Sequence, residues 1–143
     1  MPPYSRNLTS QVIKTPKLCW VDTGLWRQLT GNLEEVLSGQ IYENYVIAEI
    51  MKLTRTLTEN ADLFFYRTRS GMEIDLLIET GTGVFGFEIK ARDSVHRADT
   101  TALRKVVNAF GDEWRGGGVI YRGNRLHPLD KGLWAIPSWR LLS

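Results

Sequence analysis

Two carboxylates and a lysine lie within one short stretch of the chain, residues 73–90, whose sequence is EIDLLIETGTGVFGFEIK. Apolar residues alternate with polar ones on both sides of a glycine-containing turn, which is typical of an antiparallel β-hairpin. If Glu79 faces Val84, then Asp75 lies directly opposite Glu88. Like charges at opposed positions are destabilising, and a divalent cation between them is the best reason for such a pair. We therefore predict a site for Mg²⁺ or Mn²⁺ at Asp75 and Glu88.

The same register predicts which residues surround this pair. One face is wholly apolar, and a slip of one residue would turn one strand's apolar set away from the other's. The predicted pairs on that face are Ile78 with Phe85, Leu76 with Phe87, and Ile74 with Ile89. On the polar face Glu73 lies opposite Lys90, so Glu73 is placed to neutralise this lysine. Lys90 itself lies two residues from Glu88 and shares its face.

A predicted helix over residues 40–53 carries a further acidic candidate. On a helical wheel, Glu43 falls on a stripe with Ile47 and Ile50 at the edge of a broad apolar face. An isolated buried carboxylate is costly, so Glu43 must have a partner. Two roles stay open, as an additional metal ligand or as a structural partner of a basic side chain such as an arginine. Glu49 competes with Glu43 for this role, because it lies between Tyr42 and Tyr45 on the same wheel.

The arrangement of these residues resembles the PD-(D/E)XK nuclease superfamily. In that superfamily an Asp on one strand and a Glu-x-Lys on the next form a Mg²⁺-dependent phosphodiesterase site, and a helix before the hairpin often adds an acidic ligand. The matching residues here are Asp75, Glu88-Ile89-Lys90 and Glu43. The resemblance implies that Asp75, Glu88, Glu43 and the backbone carbonyl of Ile89 hold Mg²⁺ or Mn²⁺. It implies that Lys90 orients the attacking water or stabilises the transition state.

A second resemblance covers most of the chain. The segments SRNLTSQVIKTPKLCWVDTGL, GQIYENYVIAEI, FFYRTRSGMEIDLLIE, FEIKA and LWAIP look like the domain of unknown function that follows the ATPase module in a family of prokaryotic AAA+ ATPases. That domain is held to have the same nuclease-like fold. The resemblance implies a C-terminal fragment of a larger protein, with the N-terminal ATPase module as a partner. No G-x-x-x-x-G-K-[ST] motif for ATP occurs in this sequence. Ile74 departs from the proline of the superfamily motif.

Length and hydrophobic content favour a single packed domain. The chain has 143 residues, of which 43% are hydrophobic. Residues 1–17 are polar with three prolines and are predicted to form an extended arm, and residues 18–143 one domain. The predicted fold class is α/β (α+β), with a mixed sheet flanked by helices. The αβββαβ order of the core comes from the resemblance.

Periodicity predicts the remaining elements. Asp22 is the expected N-cap of a short helix over 23–29 that ends at Gly31. The other predicted elements are a buried extended segment at 18–21, an interruption at 38–39 of a helical stretch over 34–53, a polar connection at 54–62, a strand at 63–66, a helix at 97–110 capped by Asp93 or Ser94, a loop at 111–118, and strands at 119–121, 126–129 and 133–136. Trp134, Trp139 and Leu141 are expected to close the edge of the core.

The charge of the chain is unevenly distributed. Residues 1–89 carry 8 Lys/Arg and 11 Asp/Glu, a balance of −3, whereas residues 90–143 carry 10 and 5, a balance of +5. A polyanion lying across the site and an ordinary mixed surface are equally compatible with this distribution. The candidate nucleic-acid contacts are Arg67, Arg69, Arg92, Arg97 and Arg104.

Several classes of protein are disfavoured. The only cysteine is Cys19, in an apolar run, so a buried structural thiol is expected and a disulfide framework or zinc site is not. His96 and His127 are not accompanied by a nucleophile motif, so a serine or cysteine hydrolase is not expected. The sequence contains no apolar run long enough to span a membrane and no signal sequence, and a cytoplasmic location fits.

Three functions remain open from the sequence. The first is metal-dependent phosphodiester hydrolysis of DNA. The second is nucleic-acid binding by a nuclease fold that does not cut. The third is a protein-interaction domain that gives specificity to its ATPase, in a toxin–antitoxin or defence setting. The abundant aromatic residues, with five tryptophans, suit either a core or an interface.

Overall fold

A six-stranded sheet with helices on both faces forms the body of the molecule. The computed structural model describes residues 1–5, 12–13, 15–20, 22–31, 38–57 and 60–142. The elements are α1 (Thr23–Thr30), α2 (Gly39–Leu57), β1 (Ala61–Arg67), β2 (Glu73–Thr80), β3 (Gly83–Lys90), a 3₁₀ turn (Arg97–Thr100), α3 (Thr101–Phe110), a second 3₁₀ turn (Gly111–Glu113), β4 (Trp114–Tyr121), β5 (His127–Asp130), β6 (Leu133–Pro137) and α4 (Trp139–Leu142). The predicted helix at 97–110 therefore begins with a 3₁₀ turn.

The sheet is mixed, with the strand order β1-β2-β3-β4-β6-β5. The first three strands form an antiparallel meander. Strand β4 is parallel to both β3 and β6, and β5 pairs antiparallel with β6 at the far edge. A parallel neighbour needs a crossover connection, and α3 supplies it between β3 and β4. The prediction of an α+β fold with a mixed sheet flanked by helices is confirmed.

The predicted hairpin forms in the predicted register over most of its length. Glu79 lies opposite Val84, Ile78 opposite Phe85, and Leu76 opposite Phe87. Between β1 and β2, however, the register shifts. Phe64 pairs with Leu77, and Tyr66 pairs with Ile74, so β2 contains one residue more than β1 over this interval. Such a β-bulge changes the face to which the following side chains point.

The bulge places Ile74 on the opposite face from the predicted one. Ile74 packs in the same core cluster as Leu77 and Leu103, whereas Ile89 packs in the cluster that contains Leu76. The predicted pairing of Ile74 with Ile89 is therefore wrong. Alternation along a strand holds only as long as the strand is regular, and one extra residue reverses it.

Two helices cover the two faces of the sheet. Helix α2 buries Tyr42, Val46, Ile47 and Ile50 against the cluster on one face. Helix α3 packs the side chains of Leu103, Val106 and Phe110 on the other face, where Tyr4 from the N-terminal segment completes the cluster. Burial of each such apolar side chain is worth about 1.5–3 kcal/mol. The polar site described below lies at the end where β2 and β3 stop pairing.

Glycines allow the strands and α3 to approach closely. A Cβ atom on Gly117 would lie 1.9 Å from the carbonyl oxygen of Gly86. A Cβ on Gly86 would lie 2.6 Å from the Trp114 ring and 3.0 Å from Leu103 of α3. The predicted loop at 111–118 is therefore wrong, because the glycine run belongs to β4. The absence of side chains in this glycine run allows neighbouring strands to pack closely, whereas sequence patterns associate glycine with turns.

The N-terminal residues lie along the edge of the sheet. Pro3 bridges Phe65 of β1 in parallel, and Val12 bridges Thr68 in antiparallel fashion. The side chain of Tyr4 is buried against Phe64 and Phe110. The extended arm thus contributes to the core, and the domain boundary at residue 17 stays a prediction.

Helix α1 forms as predicted, with Gly31 in a left-handed conformation after its end. The Asp22 carboxylate accepts hydrogen bonds from the backbone N–H groups of Gly24 and Leu25. The preceding segment is not buried as predicted, because Leu18 is 76% exposed. Cys19 is only partly buried.

Other predicted boundaries change in ways that leave the sheet intact. Helix α2 continues to Leu57, beyond the predicted end at residue 53. The turn before α3 is capped by Asp99, which accepts a hydrogen bond from the backbone N–H of His96, in place of the predicted Asp93 or Ser94. Trp134 and Trp139 are exposed and do not close the core, whereas Leu141 packs against it. The predicted helical residues 34–37, and Val21, lie outside the described residues.

Candidate active site

The two strands of the hairpin separate at the end that carries the acidic residues. Among the described residues, the β2–β3 register ends at Leu76 opposite Phe87. Beyond that point the Asp75 side chain takes the place of a backbone acceptor of the neighbouring strand. Its Oδ2 accepts a hydrogen bond of 2.7 Å from the backbone N–H of Ile89. Strand β3 continues beside β4, where Glu88 lies opposite Val119. Asp75 and Glu88 thus meet at a gap between strands, and not as the regular opposed pair that alternation predicts.

Glu88 is a buried carboxylate with an unused acceptor. Its residue is 5% exposed, and its Oε1 has no hydrogen-bond partner among the described residues. Burial raises the pKa of Glu88, the nearby Asp75 carboxylate raises it further, and Lys90 opposes both effects, giving a pKa of about 8. A buried acceptor without a partner costs free energy, so this arrangement lowers the stability of the folded protein.

Lys90 is the basic group of the site. Its Nζ donates a hydrogen bond of 3.0 Å to Oε2 of Glu88, and its side chain is partly exposed. Burial lowers the pKa of Lys90, but the carboxylates of Glu88 and Asp75 outweigh that effect and raise it. The prediction that Glu73 neutralises Lys90 is wrong. Glu73 instead lies 3.6 Å from Lys17 and 3.7 Å from Arg67.

An open cleft beside α3 borders this group, although only Lys90 of the three is partly exposed. We call it the α3 cleft. It lies between the turn after β1, the ends of β2 and β3, and the first residues of the 3₁₀ turn and α3. Its lining residues are Ser70, Gly71, Met72, Glu73, Asp75, Glu88, Lys90, Ala98, Asp99, Thr101, Ala102 and Lys105. The predicted residues Asp75, Glu88 and Lys90 are therefore brought together at one accessible place.

Glu43 lies in a different cleft, beside α2. This α2 cleft has a volume of about 460 Å³ and is lined by Lys17, Leu18, Cys19, Gln40, Glu43, Asn44, Ile47, Arg67, Glu73 and Asp75. The Lys17 ammonium donates a hydrogen bond to Oε1 of Glu43. Burial and the Asp75 carboxylate raise the pKa of Glu43, against the opposing effect of Lys17. The expectation that Glu43 has a partner is confirmed, and the partner is a lysine where an arginine was suggested.

The donor set fits a cation held by few protein ligands. Among the described residues, no group of three or more His, Cys, Asp or Glu side chains is arranged to hold a metal ion. Two carboxylates, Asp75 and Glu88, do line one cleft, and the free Oε1 of Glu88 lacks a donor. Mg²⁺ commonly binds through one or two carboxylates and keeps several waters. The residues present therefore fit a Mg²⁺ or Mn²⁺ ion bound at Asp75 and Glu88.

Most of the predicted phosphate-binding arginines are engaged elsewhere. Arg67 lies near Glu73, and Arg92 donates a hydrogen bond to Asp99. Arg97 and Arg104 both lie near Asp130, with Nε–Oδ2 distances of 2.9 and 3.6 Å. The side chain of Arg69 is exposed in the turn after β1. Of the five arginines, none lines the α3 cleft.

Two lysines were not among the predicted site residues. Lys105 lines the α3 cleft with Lys90, and helical spacing predicted it only as one of several basic residues on a helix surface that could line a substrate groove. Lys17 pairs with Glu43 across 26 residues of chain, and it lies in a segment with no periodic pattern. The amphipathic pattern of the helix indicates that Lys105 lies on its polar face, whereas no local pattern indicates the position of Lys17.

A domain-family comparison decides the classification. The sequence profile described as "Domain of unknown function (DUF4143)" matches residues 38–141. The chain belongs to the DUF4143 family. The matched range of this DUF4143 domain contains α2, all six strands and α3. It therefore includes Glu43, Asp75, Glu88, Lys90 and Lys105, and it leaves Lys17 outside.

Two curated relatives of this DUF4143 domain are uncharacterized proteins. They are Rv2008c of Mycobacterium tuberculosis and Mb2031c of Mycobacterium bovis, each 27% identical over 150 residues and matching 99% of this chain. The match covers 32% of each relative, so the chain spans about a third of their length. In the part of the chain that the structure describes, no helix combines the length and apolar character needed to cross a membrane.

Proposed function

We propose that this DUF4143 domain is a Mg²⁺- or Mn²⁺-dependent phosphodiesterase that acts on DNA. The single observation that carries the proposal is the group formed by Asp75, Glu88 and Lys90 in the α3 cleft. Two adjacent carboxylates are buried there, one with an unpaired oxygen, and an ammonium lies 3.0 Å from the second oxygen. A bound cation would stabilise the charged form of both carboxylates, which burial and mutual repulsion otherwise disfavour.

The order of the elements supports a PD-(D/E)XK nuclease-like core as part of the proposal. Helix α2 is followed by three antiparallel strands, then α3, and then β4 parallel to β3. This is the αβββαβ order that the resemblance implies. The acidic residues and the lysine lie on the second and third of these strands, at the end where the strands separate.

The chain's own residues would divide the work of hydrolysis. A bound divalent cation supplies a water of lowered pKa and neutralises charge that develops on the phosphate. Asp75 is held in place by the Ile89 N–H, which fixes the direction of its carboxylate. Glu88 would hold the cation through Oε1, which has no hydrogen-bond partner among the described residues, while its Oε2 positions the Lys90 ammonium. Lys90 then holds the attacking water or an oxygen of the phosphate.

Lys105 would take the role of the predicted arginines in holding the substrate. It is exposed on α3, lines the same cleft as Lys90, and has no acidic partner within 4.0 Å among the described residues. The predicted arginines Arg92, Arg97 and Arg104 have acidic partners instead. A cation without a partner is free to bind a phosphate of the DNA backbone.

The proposal is tested by titrating Mn²⁺ into the purified protein by calorimetry. The test variant carries Asp75→Asn and Glu88→Gln. A matched control carries Asp112→Asn and Glu113→Gln, which remove two exposed acidic groups in the turn before β4. We expect saturable binding by the wild type and the control, and none by the test variant.

Cleavage is then measured on duplex and single-stranded DNA with Mn²⁺ or Mg²⁺. We expect the wild type and the acidic control to cut, and the double variant and Lys90→Ala to be inactive. Metal binding without cleavage, or cleavage that persists in Asp75→Asn/Glu88→Gln, would contradict the assignment of a phosphodiesterase at this site.

A second candidate function is partner recognition by an inactive nuclease fold. The observation that favours it is the exposure of apolar side chains on and before α1, where Leu18 is 76% and Leu29 is 68% exposed. The relatives are about three times as long as this chain. We propose that the partner is the AAA+ ATPase module that the sequence resemblance implies. This function would be supported if the domain bound that module but neither bound Mn²⁺ nor cut DNA. The Leu25→Ser/Leu29→Ser variant should then bind the module more weakly.

A further inference from the structure

A lysine from outside the matched family range lies among the acidic groups of the α2 cleft. The Lys17 ammonium is hydrogen-bonded to Glu43 and lies 3.6 Å from Oε1 of Glu73. Burial lowers the pKa of Lys17, but the Glu43 hydrogen bond and the carboxylates of Glu43, Asp75 and Glu73 outweigh it and raise the pKa. The side chain is only 27% exposed. Lys17 is thus a charged group held in place by carboxylates.

The backbone around Lys17 is fixed to the domain on both sides. The N–H of Lys17 donates to the carbonyl of Met1, and the Lys17 carbonyl accepts a hydrogen bond of 2.8 Å from the Met1 amino group. Three residues later, Trp20 exchanges two hydrogen bonds of 2.8 Å with the Asn44 side chain on α2. Asn44 directly follows Glu43. The segment therefore brings the ammonium to Glu43 in a defined position.

Asp75 connects the two clefts. It lines the α2 cleft with Lys17, Glu43 and Glu73, and it lines the α3 cleft with Glu88 and Lys90. A cation bound at Asp75 would therefore be close enough to the Lys17 ammonium for the two charges to repel each other. Affinity for hard cations depends on the number of charged ligands that the site offers. While Lys17 holds Oε1 of Glu43, this oxygen is not available to a metal ion.

We propose that Lys17 is an internal cation that competes with a divalent metal ion for Glu43 and Asp75. This inference rests on the proposed metal site at Asp75 and Glu88. With Lys17 in place, the site offers two carboxylates and binds metal weakly. When Lys17 is absent, the Glu43 side chain is free to reorient toward the cation as a third ligand, an arrangement that the described residues do not have while Lys17 is in place. Binding of the metal ion then tightens. Lys17 is thus a positioning residue that sets the metal affinity of the site through Glu43.

The test measures Mn²⁺ binding by calorimetry in the intact chain with Lys17 replaced. Lys17→Met keeps the aliphatic length and removes the charge, and Lys17→Gln keeps a hydrogen-bond donor for Glu43 should the apolar variant fold poorly. Lys17→Arg keeps the charge. Lys52→Met is the matched control, because Lys52 pairs with Glu49 on the same helix, where neither residue lines the two clefts.

We expect Lys17→Met and Lys17→Gln to bind Mn²⁺ about tenfold more tightly than the wild type, since one further charged ligand becomes free. Lys17→Arg and Lys52→Met are expected to bind as the wild type does. Adding Glu43→Gln to Lys17→Met should abolish the gain. A purely structural role for Lys17 would not produce a gain that depends on Glu43.

The failure of this inference is distinguishable from failure of the proposed function. The role of Lys17 would be overturned if the wild type and Lys17→Gln bound Mn²⁺ with equal affinity. If Asp75→Asn/Glu88→Gln abolished binding in both backgrounds, the proposed metal site would still stand. A gain that survives Glu43→Gln would also overturn the role of Lys17. No binding by any variant, including Lys17→Gln, would overturn both proposals.

Discussion

The carboxylate of Asp75 accepts a hydrogen bond of 2.7 Å from the backbone N–H of Ile89, where β2 and β3 stop pairing. One side chain thus has two tasks. It satisfies a backbone donor that the ladder leaves unpaired, and it presents negative charge to Glu88 and to both clefts. The substitutions of this residue can separate the two tasks.

Replacing Asp75 by Ala should destabilise the protein more than replacing it by Asn. An asparagine retains an oxygen for the Ile89 N–H, whereas an alanine leaves this donor buried and unpaired. We expect the free energy of unfolding of Asp75→Ala to be lower than that of Asp75→Asn by about 1–3 kcal/mol. Urea unfolding followed by circular dichroism measures the difference. Equal stability of the two variants would mean that the hydrogen bond contributes nothing.

The stability of the protein should fall as the pH rises through the range set by Glu88. Its pKa is about 8 in the folded protein, against an ordinary value of 4.5. Between these values the folded state binds more protons than the unfolded state, so the free energy of unfolding decreases with rising pH. The loss should be on the order of a few kcal/mol between pH 5 and pH 9.

Glu88→Gln is the control for this pH dependence. It removes the titrating group, so its stability should change less over the same range, and it should exceed that of the wild type at pH 9. Saturating Mn²⁺ should restore stability to the wild type at high pH, because the cation favours the charged carboxylate. Parallel pH profiles for the wild type and Glu88→Gln would show that Glu88 titrates normally.

Lys105 should contribute more to DNA binding than the arginines that have acidic partners. Lys105→Ala is expected to weaken binding at low salt and to reduce the salt dependence of log K by about one unit of slope, as loss of one phosphate contact does. Arg97→Ala should have a smaller effect, because Arg97 is paired with Asp130.

The measurement is a fluorescence-anisotropy titration of labelled DNA at several salt concentrations. It is carried out in Ca²⁺ to prevent cleavage. Lys131→Ala is the charge-matched control, since Lys131 lies in the turn between β5 and β6. If Lys131→Ala changes the slope as much as Lys105→Ala does, the α3 cleft is not the place where DNA binds.

Gly117→Ala should severely destabilise the sheet, because the new Cβ would lie 1.9 Å from the carbonyl oxygen of Gly86. Backbone of neighbouring strands cannot move aside as a flexible side chain can, so we expect a loss of about 3 kcal/mol or more. Gly81→Ala in the hairpin turn is the control, because no atom lies within 4 Å of its Cβ position. Thermal unfolding of both variants tests the difference, and equal midpoints would exclude a close approach of β3 and β4.

The hairpin could be predicted from sequence because its pattern is local. Alternation and the glycine turn determine the register from Glu79 to Leu76, and burial of one apolar face leaves little freedom to slip. The bulge in β2 could not be predicted in this way, because it depends on pairing with β1 and not on the hairpin itself. For the same reason the exact relation of Asp75 to Glu88 differs from that of a regular opposed pair.

The limits of prediction are clearest at Glu43. Helical periodicity placed it at the edge of a buried face, and the cost of burying a charge required a partner. The partner, Lys17, comes from an irregular segment far away in sequence, where no pattern exists to interpret. Contacts of this kind follow from tertiary packing. The glycines of β4 pose a similar problem, because their function is to leave room for neighbouring strands.

The repulsion between the two site carboxylates also bears on the rate at which the protein folds. The contact between Asp75 and Ile89 spans only 14 residues, so this end of the hairpin closes through a short loop. Contacts with short loops form early, before distant segments such as the one carrying Lys17 arrive. We therefore expect the developing charge conflict to contribute to the folding barrier. We expect refolding to be slower at pH 9 than at pH 5, and Glu88→Gln to abolish much of this difference, so the chemistry of the site would limit the speed of its own assembly.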